Sequence, residues 1–336
     1  MSADYGYINA RVRGMKSKLL GPEFFNEALG ASDFRAFMNT LSQSPYQQNI
    51  EEAQSRYDGL KALDVALARN FFGTARSILN FTDGTPHDLI ALLLLRYDLN
   101  NIKAIARAKH AGRSAEDTAE VFFPAGTLKP AVLETVAAAP DMPGAAQALL
   151  ATPTPLRGAF ARAAQQYSSD GDLYALELTL DRAYYKEIAN SLKELNVPRD
   201  FERYLRREID ATNLRTALQM RGTNANLDDL YVSGGKEIGR STFDAIINDG
   251  SDGGLQGLST TSFSQVAEVE PGEIEGVIRD LLDNAAKRLS TDPLGIGVVV
   301  NYLRMKEAES AKLRLLARGK YYGVPRETLA KELGDA

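Results

Sequence analysis

The sequence predicts an all-α fold, and three observations carry that reading. Apolar residues recur three and four positions apart through 24–41, 57–79, 87–111, 131–150, 156–168, 172–195, 199–221, 241–248, 273–289 and 295–318. That is the period of a helix with one buried face. Alternating β-branched or aromatic runs joined by hairpin turns are nearly absent. The breaks between periodic segments, FFPAGTLKP (122–130), APDMPG (139–144) and TPTP (152–155), hold the proline and glycine that punctuate helices.

Along the chain, LIALLLL (89–95) is the longest apolar run, far short of the roughly 20 residues of a membrane span. The least helical stretch, about 222–272, contains SGGKEIG, NDGSDGG and EVEPG and reads as long loops around one or two short helices. GVVV (297–300) is the best strand candidate, yet a helical pattern follows at once, so it reads as the start of that helix. DPLG (292–295) would open it, with Asp292 as N-cap and Pro293 in the first turn. Nothing resembles a low-complexity linker, so the domains are expected to pack against one another.

Composition narrows the function. The chain has 336 residues, 44% hydrophobic and 25% charged, ordinary for a globular protein and long enough for two or three domains. A net charge of −5 argues against a general nucleic-acid binder, which needs a cationic surface. Cysteine is absent, which excludes disulfides and thiolate chemistry. His87 and His110 are too few and too far apart for a histidine metal site. The opening MSADYGYINARVRG lacks the apolar core of a signal peptide, so a soluble, intracellular protein with at most a peripheral membrane role is expected.

Three helices share one pattern. Asp98, Asp210 and Glu309 are each followed three residues later by Asn101, Asn213 and Lys312, and five later by Lys103, Arg215 and Arg314. The acids lie 112 and 99 residues apart, a domain-sized spacing. Apolar residues four, seven and eight positions on flank the acid at about 40°, −20° and 80° around the helix. The acid therefore points into the packing face, while the base, at about 140°, cannot reach it along the same helix. Two readings remain open. Each acid forms an interhelical salt bridge that sets register in one of three similar bundles, or the acids bind a ligand or partner directly. Arg11 and Arg13 are candidate cations for the first. The corresponding domains are 1–112, 113–223 and 224–336, with the N- and C-terminal helices free to pack together.

No catalytic constellation emerges. Lys236 in GGKEIGRST lacks the spacing and preceding strand of a phosphate loop and reads as a glycine turn leading into the helix at Phe243. GSDGGLQG (250–257) has no dinucleotide-binding pattern. Glu51/Glu52, Asp228/Asp229 and Glu307/Glu309 read as solvated faces or caps. Tyr184/Tyr185 and Tyr321/Tyr322 read as helix packing. No cofactor or metal is called for.

The run DPLGIGVVVNYLRMKEAESAKLRLLARGKYYGVP (292–325) resembles the C-terminal signature of the C subunits of V/A-type rotary ATPases, relatives of the eukaryotic V-ATPase d subunit. Asp292, Pro293, Leu294, Tyr302, Lys306, Glu307, Glu309, Leu313, Arg314, Gly319, Lys320, Gly323 and Pro325 carry the match. YINARVRGM (7–15), LLLLRYDLNNIKAIARAK (92–109), FFPAGTL (122–128), YLRREIDATNLRTAL (204–218) and LYVSGGKEIGRSTF (230–243) extend it along the chain. Lys312 departs from it, standing where the family commonly has asparagine. The resemblance implies a non-catalytic, funnel-shaped protein of three similar helical domains about a pseudo-threefold axis. It would sit at the cytoplasmic face of the membrane as a peripheral component, one copy per complex. It would link coiled-coil D-type and F-type central-stalk subunits to the proteolipid ring and transmit torque for ATP synthesis or ion transport. A helical scaffold without a rotary role is the alternative. A magnesium-dependent hydrolase using Asp98, Asp210 and Glu309 is the remaining one.

Overall fold

The computed structural model of the chain describes residues 5–119, 121–195, 197–222, 230–248 and 252–334. These contain sixteen α-helices, two 3-10 segments and no strand. The chain forms two compact units, one of residues 1–97, 123–127 and 292–336, the other of 98–122 and 128–291.

The first unit holds α1 (Gly6–Lys16), α2 (Pro22–Gly30), α3 (Phe34–Ser42), α4 (Gln47–Gln54), α5 (Gly59–Asn80), the first part of α6 (Gly84–His110), and α15 and α16 at Gly297–Tyr321 and Arg326–Gly334. The periodic stretch 24–41 is two helices rather than one. Ala31 leaves helical geometry with ψ 137°, and Asp33 caps α3 by accepting from the Ala36 N–H at 2.8 Å. α15 packs on α1, α3 and α5, and its Leu313, Leu316 and Ala317 join Phe37, Leu41, Ile50 and Leu67 in one apolar core. With Leu329 of α16, four residues from beyond position 310 thus complete a core laid down by the first seventy.

α15 starts at Gly297, with Ile296 rather than Asp292 at the N-cap position. Asp292 instead accepts from the Leu294 N–H, a local turn that turns its side chain away from capping. GVVV is helical, as its context implied. Asn9 on α1 supports this entry by donating to the Pro293 and Gly295 carbonyls, both at 2.9 Å.

The second unit holds the rest of α6, α7 (Ala115–Ala119), α8 (Pro130–Ala138), α9 (Met142–Leu150), α10 (Arg157–Asp170), α11 (Leu173–Glu194), α12 (Arg199–Gln219), α13 (Arg240–Asn248) and α14 (Ile274–Leu289). Here 131–150 divides at Ala139, where ψ is 147°, and Asp141 caps α9 through the Gly144 N–H. The poorly helical stretch 222–272 contains α13 and 3-10 segments at Asp252–Leu258 and Ser264–Ala267. Phe243, Ile246, Leu258, Phe263 and Val266 anchor it against Leu214 and Ala217 of α12 and Ile278 of α14. Asp228 and Asp229 lie outside the described residues. No helix among the described residues is long and apolar enough to cross a membrane, and residues 89–95 are part of the buried stripe of α6.

Candidate functional site

Asp98 on α6 and Asp210 on α12 are fully buried, and Glu309 on α15 is 5% exposed. A carboxylate so placed needs hydrogen bonds to offset its lost hydration. Asp210 draws them from the glycine loop. The Lys236 and Glu237 N–H groups donate to Oδ2 at 3.0 Å, and the Ile238 N–H donates to Oδ1 at 2.9 Å. Successive backbone N–H groups aimed at one point form an anion nest. The Lys236–Ile238 backbone that follows the two glycines therefore cradles an anion, and the anion is the chain's own side chain. Gly235 is required there, because a Cβ would stand 2.1 Å from Asp210 Oδ1, and Gly234 takes a positive φ of 117°.

The same contact recurs at the other acids. Asp98 Oδ1 accepts from the Leu128 N–H at 3.0 Å, and Glu309 Oε2 from the Leu20 N–H at 2.5 Å. Leu20, Leu128 and Ile238 each stand two residues before a nine-residue helix, α2, α8 and α13. Each acid thus pins the chain as it enters a short helix. At Asp210, the cation expected on another helix is replaced by peptide N–H groups. Glu309 meets a lysine of its own helix: Lys306 Nζ donates to Glu309 Oε1 at 2.7 Å and to Tyr46 Oη at 2.8 Å, and the Tyr46 hydroxyl donates to Glu309 at 2.7 Å. Burial lowers the pKa of Lys306, with the Glu309 charge opposing it. Burial and the Glu309 charge push the Tyr46 hydroxyl well above its ordinary value. Arg11 and Arg13 play no part in these contacts. Arg11 bonds Tyr7 and stacks on Phe81, and Arg13 reaches the Pro293 carbonyl.

The remaining repeat positions fall around each acid. Asn213 acts as a peptide surrogate, donating to the Val232 carbonyl at 2.8 Å and accepting its N–H at 2.9 Å. Asn101 is buried at the equivalent place on α6, while Lys312 on α15 is half-buried. The bases five residues on pair with acids of the neighbouring long helix. Lys103 reaches Asp181 on α11 at 2.6 Å, Arg215 grips Glu275 on α14 through two nitrogens, and Arg314 meets Asp64 on α5 at 3.0 Å. Burial raises the pKa of Asp181 against the pull of Lys103. Its neighbour Glu177, gripped by Arg107 at 2.6 and 2.7 Å, is lowered by those hydrogen bonds.

A further repeat position went unread in the sequence. Eleven residues after the acid stand Lys109, Arg221 and Lys320. Lys109 Nζ donates to the Ala137 and Ala139 carbonyls, and Lys320 Nζ to those of Leu29 and Ala31, both at 2.7 Å. These are the unsatisfied carbonyls at the ends of α8 and α2. At α8 and α2 the acid thus holds the start of the short helix and the lysine its end. The signal was a basic residue three turns past the acid in all three copies.

Other candidates lie in ordinary surroundings. Glu51 and Glu52 accept from Gln47 and Gln48 on an exposed face, and Glu307 pairs with Arg96 and the Tyr97 hydroxyl. Tyr184 is buried and Tyr185 donates to Thr212, whereas Tyr321 and Tyr322 are largely exposed, Tyr321 edge-on to Phe34. His87 faces the Leu79 carbonyl and His110 the Tyr167 hydroxyl. Among the described residues no group of three His, Asp or Glu side chains is placed to hold a metal.

Fold and site together define an all-helical protein with an internally repeated, carboxylate-pinned helix junction. The chain belongs to the ATP synthase (C/AC39) subunit family, whose pattern matches residues 8–332. It is similar to the V-type ATP synthase C subunit of Deinococcus radiodurans, 36% identical over 99% of this chain and 92% of that one. It also resembles the protein of the same name from Thermus thermophilus, 35% identical over 99% of both chains. The A-type ATP synthase C subunit of Haloferax volcanii is 26% identical over 97% of this chain and 96% of its own length.

Proposed function

We propose that this chain is the non-catalytic central-rotor coupling component of a V/A-type rotary ATPase. It links D-type and F-type stalk subunits to the membrane proteolipid ring and transmits torque between them. It works as a single copy, peripheral at the cytoplasmic face, and binds no nucleic acid. The names of its relatives support membership of such a complex.

The observation that carries the mechanical part is the direction of the pinned junctions. Divided into thirds at 1–112, 113–223 and 224–336, each third uses its acid-bearing helix to hold the short helix of the next. Asp98 holds the loop at Leu128, Asp210 the loop at Ile238, and Glu309 returns to Leu20. The pairs Lys103–Asp181, Arg215–Glu275 and Arg314–Asp64 run in the same cyclic order. Recurrence of the same junction in the same order supports a reading of the chain as three similar helical domains. A torque coupler must resist shear between its parts, and removing one partner of a buried charged contact costs about 3–5 kcal/mol.

The test is an assembled ATPase from which this chain is omitted. The catalytic head is expected to hydrolyse ATP while ion transport driven by hydrolysis is lost. Transport that stays coupled without the chain rejects the role.

A further inference from the structure

Helices α11 and α12 leave between them a groove of about 820 Å³, closed on one side by residues 230–233. From Tyr174 to Lys193 its α11 wall runs about 28 Å at 1.5 Å per residue, a length that suits a helix of about five turns. Leu178, Tyr185 and Ala189 recur at helical spacing along that wall, and Met220 faces them from the end of α12. The charges are sorted. The acids of the groove, Glu177 and Asp181, are engaged by Arg107 and Lys103. Lys186 and Lys193, two turns apart on α11, are exposed and make no hydrogen bond or ion pair among the described residues. The wall past Tyr185 is therefore locally cationic in a chain of net charge −5.

We infer that this groove is a docking seat for one amphipathic helix of a partner protein, with an apolar stripe against Leu178, Tyr185 and Met220 and carboxylates about two turns apart facing Lys186 and Lys193. The seat is firm, because its 230–233 wall is tied to α12 through the paired Asn213–Val232 hydrogen bonds. This inference rests on the coupling reading, under which the helical end of the central stalk supplies the occupant.

The test uses the full chain, with binding to the purified D-type/F-type stalk pair measured by fluorescence anisotropy and binding to the purified proteolipid ring measured separately. The double variant Lys186→Glu/Lys193→Glu changes only exposed side chains. It is expected to bind the stalk pair at least about tenfold more weakly at low salt, with a flatter salt dependence and unchanged ring binding. Ala189→Trp, which fills the groove without altering charge, is expected to weaken stalk binding at all salt concentrations. Wild-type stalk affinity in both variants overturns the seat and leaves the coupling reading standing. Loss of ring binding instead of stalk binding overturns the occupant. A wild-type chain that binds neither stalk nor ring overturns the coupling reading and this inference with it.

Discussion

At the scale of single residues, Asp210 illustrates why a buried acid stays in an apolar stripe. Three peptide N–H groups point at it, and each loses its partner if the carboxylate is removed. Asp210→Ala is expected to destabilise the protein by about 3–5 kcal/mol in chemical denaturation. Asp210→Asn should cost less, since one oxygen remains to accept. Gly235→Ala forces a methyl group into the same carboxylate and should cost about 1–3 kcal/mol, by overpacking rather than lost bonding. Glu177 gives a dependence on acidity. Its folded pKa is lowered by Arg107, so its contribution is complete above the unfolded value of about 4.3 and is lost as pH falls through the folded value. Glu177→Gln should therefore lower the melting temperature at neutral pH, with the difference from wild type shrinking as the solution is acidified below about pH 4.

Among helices, the sequence identified the long elements and blurred most of the short ones, α13 at 241–248 excepted. α5, α6, α11, α12, α14 and α15 were legible because a wide apolar stripe over four or more turns has one period. The break at Ala31 was harder to see, since alanine carries no turn signal, whereas the one at Ala139 falls at the start of the APDMPG punctuation. The inward direction of the acids was legible from helical geometry. Their partners were not, because a peptide N–H has no letter in the sequence, and Leu20, Leu128 and Ile238 look like any apolar residues. Lys109 and Lys320 are a different case, visible as a repeat but silent about the carbonyls they reach. Lys109→Met and Lys320→Met, which keep the apolar stem, should each lower stability by about 1 kcal/mol. Amide exchange should rise at the ends of α8 and α2 respectively, while exchange in α12 stays as it was.

For the whole molecule, the cyclic order of the pinned junctions makes them separable by experiment. Asp98→Ala, Asp210→Ala and Glu309→Ala each cut one junction, and within the proposed coupler each should lower the torque-dependent yield of ion transport more than ATP hydrolysis. Equal losses of both activities would instead point to failed assembly.

The first unit draws its core from residues 1–97 and from 292–336, and this has a consequence for biosynthesis. As the chain leaves the ribosome, Phe37, Leu41 and Leu67 emerge well before Leu313 and Leu316, which cover them and are translated more than 240 residues later. At about 5–20 residues per second, the nascent amino-terminal helices wait roughly 10–60 seconds with greasy surface uncovered, and residues 98–291 have time to fold in the interval. Holding factors are expected to engage residues 1–97 of the newly made protein until residues 292–336 emerge.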